Sequence, residues 1–589
     1  MNRLSKFFPL LIVLLGFWLW AGALEAGFAL DDRTYILDNL AVRTLSGTPL
    51  SAPRFIGYLS FALNYTVGGF VAFDYHLLNV VIHLANSLLV FYILKASFAR
   101  PQSGELSGTE PQSTDKKSLQ ATFAFVTALI FMAHPVQTQA VTYLSQRFTS
   151  LAALFYLAAL LLFIKGRISD MSEERKGGTF YYFFCVVSTL LAMKTKEIAF
   201  TLPFAILLYD MIFFRGIRRS MRVYLPLGLT LITIPASFLV VSQNLGGIDL
   251  VSEVTRTKLV EAGNIPRTTY LFTELSVIVE YIRLLFYPSN LRFYYDFPVS
   301  ETFFNVRTLL SLSFLLGVLS AGVLILKRAL RSHSDGQCAG TFGLVAAFGI
   351  FFFFLALSVE SSVVPIKDVI FEHRLYLPGF GLIAAFTSGI FYLSITVFRG
   401  SEQKASVVAL CLCISFAVVP LGAALKARNS TWKDPLVFIS DNIEKSPDLA
   451  HLYYIRGMIF LERGGLKESI ADNTRALELD PRHFLALNNR GTAYLLSGLN
   501  KKGLEDLTRA LQIYPGHFDS LINRALLHAR MGLADSALID LERAYGLAPG
   551  KTRQTYDEWI SVELAPVCDK ARAGRPKGCT IIERIEQDL

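Results

Sequence analysis

Asp31 and Asp32 are adjacent carboxylates a few residues beyond the first long apolar stretch of the chain. A carboxylate pair at a membrane surface suits two kinds of chemistry: removing the proton from an acceptor hydroxyl, or metal-assisted handling of a phosphate leaving group. A solvated loop with a helix cap is the alternative. The dipeptide alone leaves these interpretations open, so a divalent cation stays an option and no metal ligand is assigned.

Further polar residues stand at the ends of later apolar stretches that we expect to face the same side as Asp31. Ionisable groups near membrane depth are expensive and tend to mark pathways or sites. Arginine binds phosphate through a bidentate fork and lysine as a point charge, although each residue alone could be a snorkelling anchor. Together they favour a site for a lipid-linked phosphate. The residues are His134, Gln137, Gln139, Arg147, Lys194, Lys196, Glu197, Glu372, His373, Arg374 and Tyr376.

His76, Asn79, His83 and Asn86 follow one another at steps of three, four and three, which puts them on one helical face. A zinc site would need a closed cluster of ligands, and no cysteine or carboxylate is in register. The spacing therefore favours a polar seam that hydrogen-bonds to neighbouring helices.

The composition identifies a membrane protein. Of the 589 residues, 53% are hydrophobic and 17% are charged, and the mean hydropathy is +0.44, which excludes a single soluble domain. The net charge of +9 comes from short basic clusters between apolar stretches, a pattern that sets topology and does not indicate nucleic-acid binding. No phosphate-binding glycine loop or nucleophile elbow occurs in a supporting context. The energy for a reaction must then come from an activated substrate already in the membrane.

Apolar stretches of about 17 to 25 residues read as membrane spans, and the chain has eleven of them. The basic clusters fall on alternate loops if the stretch 269–288, which contains three charged residues, is interfacial or re-entrant. This places the N-terminus in the cytoplasm and everything after residue 425 outside. We expect the first span to be a retained anchor and not a signal peptide, because its apolar core is long. The spans are 7–24, 75–95, 119–135, 148–165, 179–193, 197–214, 223–242, 308–327, 341–358, 376–398 and 404–424.

A repeat of 34 residues begins after a soluble linker or entry helix, which we place at 426–449. Small residues, alanines and prolines each recur at this spacing, a pattern typical of three tetratricopeptide repeats over 450–550. A segment at 551–589 is predicted to cap the stack. It contains Cys568 and Cys579, for which a disulfide and two free thiols are both open. The recurring residues are Gly457, Gly491 and Ala525; Ala476, Ala510 and Ala544; and Pro481, Pro515 and Pro549.

The order of motifs resembles the transmembrane and tetratricopeptide repeat-containing O-mannosyltransferases and their bacterial relatives. The resemblance covers nearly the whole chain, although Gln139 stands where an acidic residue is common in the family, and the repeat array is shorter than in the long animal members. The motifs are DD, YHLLNVVIHLANSLLV, HPVQTQAVTYLSQRF, KTKEIAF, YIRLLFYPSNLRFYYDF, EHRLYLPGFGL and RNSTWKDPLVF.

The resemblance implies an all-α fold, in which a membrane domain of the C-type glycosyltransferases at 1–425 precedes the repeat solenoid. Such enzymes use a polyprenyl-phosphate-linked sugar, so Asp31 and Asp32 become the expected catalytic pair, with Asp32 preferred as the base. The candidates for the donor phosphate site or its surroundings are Arg147, Lys196, Glu197, Arg374 and His134.

We therefore expect an inverting glycosyltransferase of a bacterial inner membrane, with an active site that opens outward. Its partners would be the lipid-linked donor, a protein or glycan acceptor that the repeats recruit, and membrane lipid, without nucleic acid. Two alternatives stay open: a polymerase or ligase of lipid-linked polysaccharide, and a non-catalytic scaffold that displays the repeats.

Overall fold

The computed structural model describes residues 4–99, 114–171, 178–214, 221–237, 265–334, 338–361, 368–398 and 401–547. These residues form helices, turns and loops without a strand, so the all-α prediction is confirmed for this part of the chain. The described residues divide into two compact units, with the boundary between Asp434 and Pro435. The predicted boundaries at 425, 449 and 550 stay predictions, and the predicted cap at 551–589 lies outside the described residues.

The first unit consists of long apolar helices joined by short helical turns. Its helices are Phe8–Trp20 (α1), Phe55–Gly68 (α2), Ala72–Ser97 (α3), Thr114–Ala133 (α4), Thr138–Val141 (α5), Arg147–Met171 (α6), Gly178–Met193 (α7), Leu202–Phe213 (α8), Met221–Thr230 (α9), Arg267–Phe286 (α10), Val306–Ser334 (α11), Cys338–Leu357 (α12), Tyr376–Val397 (α13), Glu402–Cys413 (α14) and Val419–Thr431 (α15).

Seven helical segments among the described residues are long and apolar enough to cross a membrane, and the number is eight if α4 and the bent segment after it form one broken span. The predicted count of eleven is therefore not confirmed. Three predicted spans fall on shorter helices: α7, α8 and Val223–Ser237. Since α7 has 16 residues, it rises only about 24 Å, which is less than a hydrocarbon core of roughly 30 Å. The seven segments are Ser5–Glu25, Ala72–Ser97, Leu144–Met171, Val306–Ser332, Ala339–Leu357, Glu372–Val397 and Glu402–Thr431.

Helices α1, α3, α4 and α6 share one hydrophobic core, which fixes where the first loop begins. Trp20, the last residue of α1, is fully buried, and its indole N–H donates to the carbonyl of Met132 over 3.0 Å. This bond joins the ends of α1 and α4. The loop that carries Asp31 therefore starts beside the loop that follows α4.

Helices α12 and α13 pack with their backbones in contact. A side chain at Gly349 would overlap the carbonyl oxygen of Gly381, and a side chain at Gly381 would overlap the carbonyl oxygen of Gly349. Small residues allow this close approach between apolar helices. The approach fixes the start of α13, which follows Glu372, His373 and Arg374.

The second unit repeats one helix pair. The first helices of the three pairs begin 34 residues apart at Ala450, Phe484 and Phe518, and the second helices keep the same spacing. The 34-residue period is thus a period of the structure, whereas the tetratricopeptide class stays a prediction. The helices are Pro435–Lys445 (α16), Ala450–Glu462 (α17), Leu466–Leu479 (α18), Phe484–Leu496 (α19), Asn500–Ile513 (α20), Phe518–Arg530 (α21) and Ala534–Leu547 (α22).

An arginine at the same position of each repeat joins its two helices. Each guanidinium donates to both oxygens of an aspartate 16 residues later, at 2.7 to 2.8 Å. Each also reaches a hydroxyl of the preceding second helix, and α16 supplies the first of these hydroxyls. Helix α16 therefore serves as the half-repeat on which the first pair stacks. The pairs are Arg456 with Asp472, Arg490 with Asp506, and Arg524 with Asp540.

The contact between α12 and α13 predicts that Gly381→Ala lowers the stability of the protein by about 1 to 3 kcal/mol, since overpacking at a close contact has a cost of this size. The matched control is Gly389→Ala in the same helix, where the added methyl meets no atom within 4 Å. Thermal unfolding in detergent compares the two variants. Equal midpoints would contradict the predicted contact.

Candidate active site

The two adjacent carboxylates have different surroundings. Asp32 is 1% exposed, and its two oxygens accept the backbone N–H groups of Ala29, at 2.9 Å, and Ser145, at 2.6 Å. Asp31 is exposed, and its own backbone N–H donates to the hydroxyl of Tyr143 over 3.0 Å. The carboxylate of Asp31 is therefore free to meet a substrate, while the carboxylate of Asp32 ties the loop to the segment before α6.

The loop reaches this position through an unusual backbone conformation. Leu30, immediately before the pair, has φ of 50°, in the left-handed region that costs a residue other than glycine about 1 to 3 kcal/mol. Surrounding contacts must hold such a residue in place. The hydrogen bonds of Asp31 and Asp32 to the 143–145 segment are contacts of this kind.

Burial raises the pKa of Asp32 from its ordinary value of 3.8 to about 7, and the charge of Asp31 adds to this rise. The N–H groups of Ala29 and Ser145 act in the opposite direction, because they stabilise the ionised form. The ionised carboxylate accepts both bonds, but its desolvation outweighs them, so the folded state favours the protonated form of Asp32 below about pH 7.

Arg147 begins α6 and is fully buried. Its guanidinium donates to the side-chain oxygens of Asn79 and Asn64, at 2.6 and 2.7 Å, and to the carbonyls of Ser60 and Tyr75, at 3.2 and 2.9 Å. Among the described residues, no carboxylate forms an ion pair with it. Its positive charge is solvated by neutral groups, and its hydrogen bonds hold α2 and α3 against α6.

Lys196 and Glu197 are each paired with a different residue. The ammonium of Lys196 lies 2.7 Å from the carboxylate of Glu360 and donates to the hydroxyl of Thr149 over 2.9 Å. Glu197 accepts a bidentate pair of bonds from Arg54, both at 3.0 Å. The two residues are adjacent in sequence, and their contacts fix the turn before α8 from two sides.

Arg374 holds the segment that precedes it. Its guanidinium donates to the carbonyls of Val369 and Asp368, at 2.9 and 2.8 Å, and lies 3.9 Å from the buried carboxylate of Glu274. The side chain is 2% exposed. Arg374 is therefore committed to the chain around residue 369 and not to open solvent.

Gln139 links the segment after α4 to two later segments. Its side-chain oxygen accepts the backbone N–H of His373 over 3.0 Å, and its amide donates to the carbonyl of Arg292 over 3.3 Å. Glu372 accepts from the backbone N–H of Arg292 and from the hydroxyl of Tyr295, both over 2.7 Å. An amide suits position 139 because it both donates and accepts here, which a carboxylate cannot do.

The remaining predicted site residues after α4 and α7 differ in their contacts. His134 accepts the N–H of Val136 at one ring nitrogen, and the other lies 2.9 Å from the carbonyl of Leu285. Lys194 donates to the hydroxyl of Ser237 over 2.6 Å. Gln137 is fully buried, and its side-chain amide has no hydrogen-bond partner among the described residues.

The polar seam on α3 is confirmed for three of its four members. Asn79 donates to the carbonyl of Val141 over 2.9 Å, and both His83 and Asn86 contact the hydroxyl of Tyr376, at 2.7 and 2.9 Å. The fourth member, His76, is fully buried on the same helical face. The seam joins α3 to the segment before α6 and to α13.

Sequence reasoning missed Tyr143, Arg54 and Glu360, which contact the predicted residues Asp31, Glu197 and Lys196. Tyr143 lies within the motif HPVQTQAVTYLSQRF, so the sequence pattern could have identified it as a site residue. Arg54 and Glu360 lie more than 140 residues from their partners, and nothing in the local pattern connects them.

Three curated relatives of this chain are named protein O-mannosyl-transferases. This chain is 31% identical over 208 residues to the protein O-mannosyl-transferase Tmtc3 of Drosophila melanogaster, covering 32% of this chain and 22% of the relative. It is 24% identical over 509 residues to the protein O-mannosyl-transferase F38B6.6 of Caenorhabditis elegans, covering 80% and 63%. With the human protein O-mannosyl-transferase TMTC1 it shares 24% identity over 527 residues, covering 80% and 55%.

The chain thus spans between about a fifth and two thirds of the length of these relatives. No family model matches the sequence. The similarity supports a membrane protein like the TMTC O-mannosyltransferases, in agreement with the resemblance drawn from the motifs.

The raised pKa of Asp32 predicts a pH-dependent component of stability. Between about pH 4 and 7 the folded protein holds a proton on Asp32 that the unfolded chain has lost, so stability falls as pH rises through this window. Asp32→Asn should remove this slope. The control is Asp38→Asn, whose carboxylate forms an exposed pair with Arg33. Thermal unfolding from pH 4 to 8 tests this, and an unchanged slope in Asp32→Asn would contradict the assignment.

Proposed function

We propose that this chain is a membrane glycosyltransferase that moves a sugar from a polyprenyl-phosphate-linked donor to an acceptor hydroxyl on the extracytoplasmic side of a bacterial inner membrane. The names of the relatives support mannose as the sugar and a protein as the acceptor. The observation that carries the proposal is the exposed carboxylate of Asp31 on a loop that the buried Asp32 holds in place.

In the proposed mechanism Asp31 is the general base. One of its oxygens takes the proton of the acceptor hydroxyl while the hydroxyl oxygen attacks the anomeric carbon. The bond from that carbon to the phosphate oxygen breaks, the phosphate leaves with the bonding electrons, and the configuration inverts. This assignment replaces the preference for Asp32, whose two oxygens are already engaged by backbone N–H groups.

The other candidate residues have electrostatic or structural roles in the proposed mechanism. Arg147 contributes a buried positive charge that no carboxylate of the described residues pairs with, and such a charge favours the negative charge that develops on the leaving phosphate. Lys196, Glu197, Arg374 and His134 build the surrounding structure through the contacts described above. The repeats are proposed to recruit the acceptor. Among the described residues no cluster of three metal-ligating side chains occurs, and a divalent cation stays an option.

The proposal predicts that the purified chain transfers labelled mannose from polyprenyl phosphate to protein, and that Asp31→Asn lowers the rate about a hundredfold to ten-thousandfold, the usual contribution of a general base. Asp38→Asn serves as the matched control in the same loop. Product is counted in protein and glycan fractions. Full activity of a folded Asp31→Asn variant would contradict the mechanism.

Two other outcomes of this experiment would replace the proposed function. Label in the glycan fraction alone would identify a polymerase or ligase of lipid-linked polysaccharide. No transfer from any lipid-linked sugar would favour the scaffold.

A further inference from the structure

A cavity of about 170 Å³ lies in the first unit beneath the segment that follows α10. That segment contains the motif FYYDF, to which the proposed mechanism gives no role. Aromatic rings and carboxylates line the cavity together. The lining includes Phe293, Tyr294, Phe297, Phe371, Asp296 and Asp368.

The walls of this cavity are held by residues that the sequence marked as site candidates. Arg374 donates to the carbonyls of Asp368 and Val369 on one wall. On the other wall, Glu372 accepts from the hydroxyl of Tyr295 and from the backbone of Arg292. Walls that are already fixed need little further ordering when a ligand binds, so the free-energy cost of binding is smaller. These charged residues therefore shape a binding space and are not themselves its lining.

The lining chemistry selects the class of ligand. Aromatic faces carry negative potential and attract the C–H groups on one side of a sugar ring, while carboxylates accept hydrogen bonds from its hydroxyls. The described lining contains no lysine, arginine or histidine, so it does not suit a phosphate. A cavity of roughly 150 Å³ can hold benzene, so the space is of the size that receives one six-membered ring.

The lining of the cavity is connected to the loop of the proposed base through Tyr143. The ring of Phe293 lies 5.1 Å from the ring of Tyr143, and the hydroxyl of Tyr143 accepts the N–H of Asp31. One aromatic contact thus connects the cavity wall to the loop that carries the base. Tyr143 therefore contacts both the lining of the cavity and the loop of the proposed base.

We propose that this cavity binds the pyranose ring of the sugar that is transferred. This inference rests on the proposed function and adds the residues that hold the sugar. Asp296 accepts hydrogen bonds from the ring hydroxyls, and the aromatic rings of Tyr294 and Phe297 cover its apolar side.

The test measures binding of methyl α-D-mannopyranoside to the purified full chain by saturation-transfer NMR, which needs no catalysis. Val299 lines the cavity and is 44% exposed, so Val299→Trp should fill the space and abolish binding. Asp296→Asn should weaken binding about tenfold or more, because it removes a charged hydrogen-bond acceptor. Val306→Trp is the control for adding an indole, since Val306 is 70% exposed and outside the described lining.

Wild type and Val306→Trp should bind the glycoside and bind the acyclic mannitol at least tenfold more weakly. Equal binding by Val299→Trp, or equal binding of mannitol, would overturn the cavity assignment. If Val299→Trp unfolds at a lower temperature than Val306→Trp, an unchanged affinity in Asp296→Asn overturns it instead.

Transfer assays separate this inference from the proposed function. An unchanged KM for the lipid-linked donor in Val299→Trp would overturn the cavity assignment and leave the transferase intact. Glycoside binding as predicted, without transfer from any donor, would overturn the proposed function and leave a sugar-binding site in place.

Discussion

The carboxylate of Asp32 joins two parts of the chain that are 113 residues apart, because it accepts backbone N–H groups from Ala29 and from Ser145. The rest of the proposed site depends on this link. It places Asp31 against Tyr143, and it fixes the loop two residues before Arg147, whose guanidinium holds α2 and α3. A carboxylate at 1% exposure is costly, and the two N–H bonds offset part of that cost.

The cost of burying a charge also explains why most of the residues predicted to bind the donor phosphate are paired within the protein. A buried charge in a membrane domain needs partners, and the buried Lys196 pairs with Glu360. The half-buried Glu197 pairs with Arg54. Arg147 differs, since neutral oxygens surround it. The proposed mechanism uses this charge at the leaving phosphate. Charged residues at the ends of apolar helices can thus build a site as well as touch its substrate.

Much of the fold could be predicted from the sequence because it depends on local pattern. The predicted 34-residue period equals the spacing of the helix starts in the second unit. Asn79, His83 and Asn86, whose spacing predicted a polar seam, form hydrogen bonds to neighbouring segments. The span count is not confirmed, because the predicted spans at 179–193, 197–214 and 223–242 fall on helices that are short for a full crossing. Apolar composition alone does not separate such helices from helices that cross the membrane.

The site was predicted in part. The Asp31–Asp32 dipeptide located the loop, but it did not show that Asp32 is buried and Asp31 exposed. That difference depends on contacts with Ser145 and Tyr143, more than 110 residues away. Chemical rescue distinguishes the roles of the two carboxylates: transfer by Asp31→Gly and Asp32→Gly is measured with increasing formate. We expect formate to restore transfer in Asp31→Gly, where the vacated space is open to solvent, and not in Asp32→Gly. Rescue of Asp32→Gly without rescue of Asp31→Gly would show that Asp31 is not the base.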